Sequence, residues 1–137
     1  MNDCLHPVMT EKQINAMSAL ALAHIGDAVF ELLVRTKLCV SGGTTNNRLH
    51  RDTVAQVCAA AQAEFAQRMQ PLLTEAEQGY YRRGRNAHPH SMPKSASPAV
   101  YARATGVETL FGALYLLGQQ ERIAALFAAV TEENHAV

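Results

Sequence analysis

Apolar residues along this chain recur at helical rather than strand spacing, and the punctuation between them divides it into helices. From about residue 13 to 38 the apolar positions fill most of a helical circumference, which predicts one long, buried helix. The cluster Ser41-Gly-Gly-Thr-Thr-Asn-Asn47 breaks it. Leu49, Val54, Val57, Ala61 and Phe65 then return at helical intervals, predicting a second helix from about Arg48 to Met69 that Pro71 ends. Thr74-Glu-Ala-Glu77 has the form of a capping box and opens a third helix toward Arg85. A loop with three prolines, His88 to Pro98, follows. A helix from about Pro98 to Leu117 stops at Gly118, and a last one covers Gln120 to about Glu132. No useful strand-like alternation and no internal repeat is present. The expected fold is all-α, with about five or six helices.

Composition agrees. At 137 residues, with 48% hydrophobic and 18% charged residues, the chain reads as one folded domain, residues 1–137, able to bury a core. The Leu20 run carries His24, Asp27 and Glu31, so no membrane span is expected, and the first residues lack the make-up of a secretory signal. Three cysteines without CxxC spacing suggest neither a disulfide framework nor a zinc knuckle. A reducing cytoplasm is the default location.

Net charge is zero, yet its distribution is uneven. Residues 32–107 hold ten of the twelve Lys/Arg but only four of the twelve acids, an excess of six positive charges. No acid lies between Glu77 and Glu108. A neutral chain with a basic middle can bind a polyanion on one surface, although a solvated charged face explains such bias equally well. Arg82-Arg83-Gly-Arg85-Asn86 follows two tyrosines, and clustered guanidiniums suit phosphate contacts. Arg48, His50 and Arg51 form a smaller group with the same ambiguity. His88-Pro-His90 lacks further ligands and is taken as no metal site.

Two acids stand out because each interrupts an apolar helical run: Asp27 in Leu20–Val34 and Glu108 in Val107–Leu117. Carboxylates are seldom buried without a partner, because desolvation is costly. Gly26 beside Asp27 and Gly112 one turn after Glu108 suggest close helix–helix approach, which would bring the carboxylates together. A hard divalent ion, Mg²⁺ with Mn²⁺ as substitute, would neutralise them and serve phosphodiester hydrolysis. Spacing alone leaves open the alternative that each acid is paired with an Arg or with His24. Glu31 is assigned to Arg35, four residues on, rather than to the metal.

At these residues the chain resembles a known family. Leu22-Ala-His-Ile-Gly-Asp-Ala-Val-Phe-Glu31 is similar to the signature helix of ribonuclease III nuclease domains, and Gly106-Val-Glu-Thr-Leu-Phe-Gly-Ala-Leu-Tyr-Leu116 to their second acidic helix. Arg83-Gly-Arg-Asn-Ala87, Pro93-Lys94 and Leu73-Thr-Glu-Ala-Glu77 resemble the Mini-ribonuclease III branch. The likeness covers about residues 17–127. It departs from typical ribonuclease III where that family carries further acids: Leu20, Ala23 and Thr105 stand in their places. Mini-ribonuclease III is similarly reduced, and the resemblance to that branch implies that no C-terminal double-stranded-RNA-binding domain like that of the larger enzymes is expected.

The resemblance implies an all-α ribonuclease III-like domain of about five to seven helices, acting as a homodimer. It implies a Mg²⁺-dependent endoribonuclease that cuts double-stranded RNA to leave 5′-phosphates and short 3′ overhangs, and matures the large-subunit (23S) ribosomal RNA precursor, with a ribosomal protein presenting the substrate. Asp27 and Glu108 would be the catalytic, metal-holding pair. Arg48, His50, Arg82, Arg83, Arg85, Asn86 and Lys94 would contact RNA. The competing expectation is a catalytically silent relative that binds RNA or serves ribosome assembly.

Overall fold

A computed structural model describes residues 3–42, 45–87 and 97–133. Seven α-helices and no strand occur among them: α1 Glu11–Ala16, α2 Ala19–Val40, α3 Asn46–Val57, α4 Ala59–Met69, α5 Glu75–Arg85, α6 Pro98–Leu116 and α7 Gln120–Glu133. A 3₁₀ turn, Gln70–Leu72, links α4 to α5. The all-α expectation holds. The loop expected between His88 and Pro98, with Lys94 and the His88-Pro-His90 word, lies outside the described residues up to Ser97.

Helix α6 is the axis of the fold. It is apolar around its circumference, and Ala104–Val107 and Thr109–Leu114 are buried, as expected of a helix surrounded by others. α2, α4, α5 and α7 pack around it. Phe30, Phe65, Phe111 and Phe127, from α2, α4, α6 and α7, join the four at one point, with ring centroids 5.2 to 6.0 Å apart and mostly edge-on.

Three details differ from the sequence expectation, each for a local reason. The helix expected from about residue 13 to 38 is two helices. Met17 ends α1 in an extended conformation, and Ser18 restarts the chain, its Oγ accepting from the Ala21 N–H at 3.0 Å. The helix expected from about 48 to 69 also breaks. Cys58 is extended (φ −64°, ψ 159°), so α3 ends and α4 begins around it. Nor is α2 wholly buried: Asp27 is exposed, as are Leu20 (38%) and Leu32 (61%).

Other expectations hold. Thr74 and Glu77 form the capping box, and Glu77 then receives both Arg122 Nε (2.8 Å) and Nη2 (2.9 Å), which ties α5 to α7. Gly118 takes a left-handed φ of +80° past the end of α6, where glycine has no steric penalty.

Candidate active site

The helix pair α2–α6 is held closer than ordinary side chains allow. A methyl group on Gly26 would overlap the Glu108 carbonyl, and one on Gly112 would overlap the Leu22 carbonyl. The two glycines therefore interlock backbone against backbone, one from each helix. α5 also meets α6 closely, but glycine against side chain, with Gly84 against Thr109 and Gly106 against the Tyr81 ring. The expectation that Gly26 and Gly112 mark a close crossing is met.

That crossing sets Asp27 beside Glu108. Asp27 is exposed and Glu108 half-buried, so the pair sits at a lip of the surface rather than in the core. Burial first, then the Asp27 charge and a hydrogen bond between the two carboxyls, push the Glu108 pKa from an ordinary 4.5 up to about 8; a hydrogen bond from the Gln62 side chain works the other way. Among the described residues, neither acid forms an ion pair with Arg, Lys or His. The alternative left open by spacing, an acid satisfied by Arg or His24, is thus not what the fold builds. Glu31 instead pairs with Arg35 at 3.0 Å, as expected.

Two adjacent carboxyls, neither in an ion pair among the described residues, form a donor set that fits a hard divalent cation. No group of three or more His, Cys, Asp or Glu side chains suited to a metal occurs among the described residues. Of the three positions at which the sequence departs from that family's further acids, Leu20 is 38% exposed. Ala23 is buried, and buried Thr105 donates its hydroxyl to the Tyr101 carbonyl at 3.0 Å. A cation here would take most of its ligands from water and substrate, as Mg²⁺ commonly does.

A pH effect follows. The folded-state pKa of Glu108 lies above its unfolded value, so its contribution to stability is full below about pH 4.5 and is lost as pH rises toward 8. Discounted for partial exposure, the loss is on the order of 1–2 kcal/mol. A cation displaces the same proton. In EDTA the unfolding temperature should therefore fall between pH 5 and 8, and Mg²⁺ should restore more of it at pH 8 than at pH 5. Scanning calorimetry at the two pH values checks this; a Mg²⁺ effect independent of pH would contradict it.

The basic residues fall into two groups along α2. Arg82, Arg83 and Asn86 line a cleft of about 500 Å³ between α1 and α5, with Glu11 and Tyr80. Arg82, Arg85 and Asn86 are exposed, and the Arg85 guanidinium lies 5.9 Å from the Tyr81 ring centroid. Arg83 turns inward: Nη2 donates to the Met17 carbonyl at 2.6 Å, at the α1–α2 junction, and Nη1 is buried without a protein partner. At the other end of α2, His50 shares a recess with Arg35 and Cys39, and Arg48 reaches toward Asp52 at 3.9 Å. Asp27 lies between these groups.

One buried polar residue escaped the sequence reading. Gln62 is 1% exposed, its Nε2 donates to the Val57 carbonyl at 3.2 Å, and its side chain works against the rise of the Glu108 pKa. The available signal was a lone glutamine in the Ala-rich run 59–66.

An all-helical domain with an acid pair at a glycine-locked crossing is the ribonuclease III domain, whose family model matches residues 20–119. At finer resolution, Mini-ribonuclease 3 of Symbiobacterium thermophilum is 48% identical over 113 residues, covering 82% of this chain and 87% of that one. Mini-ribonuclease 3 of Enterococcus faecalis is 44% identical, covering 84% and 86%. A crystal structure of a Fusobacterium nucleatum protein superposes with a TM-score of 0.79 at 29% identity, covering 88% of this chain and 97% of that one. The chain belongs to the Mini-ribonuclease 3 family of ribonuclease III-type endoribonucleases.

Proposed function

We propose that this protein is a Mg²⁺-dependent endoribonuclease that cuts double-stranded RNA, with Asp27 and Glu108 as its catalytic pair and Mn²⁺ as a working substitute. The observation that carries the reading is the adjacency of these two acids without a neutralising base among the described residues. When bound, the cation supplies positive charge that assists water attack on a phosphodiester and stabilises the departing 3′-oxygen. Asp27, which is exposed, and Glu108, which is half-buried, would hold it. For that, Glu108 would have to give up its proton, leaving both carboxylates ionised.

Duplex RNA is bound through its phosphates and 2′-hydroxyls, by shape more than by sequence. Arg82, Arg85 and Asn86, which are exposed, would make such contacts, and so would Arg48 and His50 near the C-terminal end of α2. Arg83 and Lys94 belong to the same proposed surface, although the Arg83 guanidinium also supports the α1–α2 junction. A second copy of the chain completes the enzyme: one site per protomer cuts both strands and leaves 5′-phosphates. The exposed Leu20 and Leu32, along the same helix as Asp27, supply apolar surface for that pairing.

The physiological reaction we infer is maturation of the 23S ribosomal RNA precursor in the cytoplasm, with a ribosomal protein presenting the substrate. No helix among the described residues is long and apolar enough to cross a membrane.

The test is direct. A perfect RNA duplex incubated with the protein and Mg²⁺ should be cut to 5′-phosphorylated products, EDTA should stop the reaction, and single strands should survive. A duplex left intact across a range of Mg²⁺ and Mn²⁺ would favour the silent RNA-binding or assembly module instead.

A further inference from the structure

Two neighbouring arginines of α5 keep their charge free. Arg35, Arg48, Arg68 and Arg122 are each paired with an acid. Arg82 and Arg83 form no ion pair among the described residues. Both line the cleft of about 500 Å³ between α1 and α5, with Glu11 and Asn15 on one side and Gly79, Tyr80 and Asn86 on the other. Two guanidiniums against one carboxylate leave that cleft net positive. Arg83 is also held in place, Nη2 on the Met17 carbonyl at 2.6 Å and Nη1 buried without a protein acceptor. A buried donor without an acceptor commonly marks the place of a group from outside the chain.

Gly79 is a second, independent sign. Among the described glycines, Gly26, Gly84, Gly106 and Gly112 are required by close neighbours, and Gly42 and Gly118 take a left-handed φ. Gly79 has neither reason: its φ is not positive, and nothing lies within 4 Å of where its Cβ would stand. Glycine inside a helix costs stability relative to alanine, and no contact within the protein offsets that cost here. What Gly79 does provide is open space beside the two guanidiniums, where a ligand can approach the helix backbone.

We propose that the α1–α5 cleft binds a phosphate ester of about nucleotide size, its phosphate on Arg82, Arg83 and Asn86 and its organic part over Gly79. Guanidinium and amide N–H groups suit phosphate oxygens, and the cleft has the volume usual for small-molecule sites. Glu11 opposes the anion and keeps binding modest. The same chemistry is offered by a nucleotide unit of an RNA strand and by a free nucleotide. In its RNA form the inference rests on the RNA-binding reading above; cleavage at Asp27 and Glu108 is not needed for it.

The test titrates adenosine 5′-monophosphate into the full chain in EDTA, which keeps metal away from the acid pair, with adenosine as the control. The nucleotide should bind and adenosine should not. Gly79→Ala should weaken binding roughly tenfold while raising the unfolding temperature, a combination that a glycine of structural use alone would not give. Glu11→Gln should tighten binding roughly two- to fivefold, and Arg82→Gln should weaken it roughly tenfold. Displacement of the nucleotide by saturating RNA duplex would make the strand its natural source, and a complex holding both would make it a free nucleotide. Failure of the nucleotide to bind, equal binding of adenosine, or wild-type affinity in Gly79→Ala and Glu11→Gln would overturn the inference. A wild type that cuts duplex but binds no nucleotide would remove the cleft site and leave the nuclease reading standing. Nucleotide binding without duplex cleavage would do the reverse.

Discussion

Asp27→Asn should abolish duplex cleavage by roughly a thousandfold or more, equivalent to about 4 kcal/mol of transition-state stabilisation, while leaving a folded protein that binds duplex RNA as wild type does. The fold should survive because Asp27 is exposed and the substitution is nearly isosteric. No protein salt bridge to Asp27 exists among the described residues, so none is broken. Removing its charge also relieves Glu108, whose pKa should fall part of the way while burial, the larger cause, keeps it raised. The metal-free variant should thus be at least as stable as wild type at pH 8, an unusual result for an inactivating change. Single-turnover cleavage, filter binding in EDTA and thermal unfolding read the three parts separately. Near-wild-type cutting would remove Asp27 from the site.

The second large effect is structural. Gly26→Ala sets a methyl group against the Glu108 carbonyl, a backbone atom that cannot swing aside. The α2–α6 pair must separate, at a cost of about 3 kcal/mol or more, and Glu108 moves with the backbone it belongs to. The urea midpoint should fall sharply, and any folded remainder should hold cations poorly. Gly79→Ala is the internal control: it lies in α5 with nothing within 4 Å of the added methyl group, so it should stabilise by about 0.5–1 kcal/mol. Equal stability of the Gly26 variant and wild type would refute the close crossing.

Much of this was legible in the residues, and the exceptions are instructive. Helical periodicity, the Thr74–Glu77 box and Gly118 marked elements that the fold contains, because each acts within a few residues of itself. The two breaks, at Met17-Ser18 and at Cys58, were not legible. At the first, a cap competes with an apolar pattern that runs straight through it. At the second, the chain bends without a side-chain cap at Cys58, and the carbonyl it frees is taken by Gln62 from the following helix. The two glycines foretold the crossing and so the meeting of Asp27 with Glu108. The exposure of Asp27 was hidden because α2 is apolar enough to read as buried all round. The inward turn of Arg83 depends on a carbonyl far away in the chain, which a local basic cluster cannot announce.

The glycine-locked crossing has a kinetic consequence. Asp27 and Glu108 come from helices widely separated in sequence, and neither α2 nor α6 alone carries the pair. The cation-holding geometry therefore forms only when α2 seats against α6, a non-local contact. Proton release by Glu108 on cation binding would then report that docking event, reading the seating of two helices from the behaviour of a single carboxyl group.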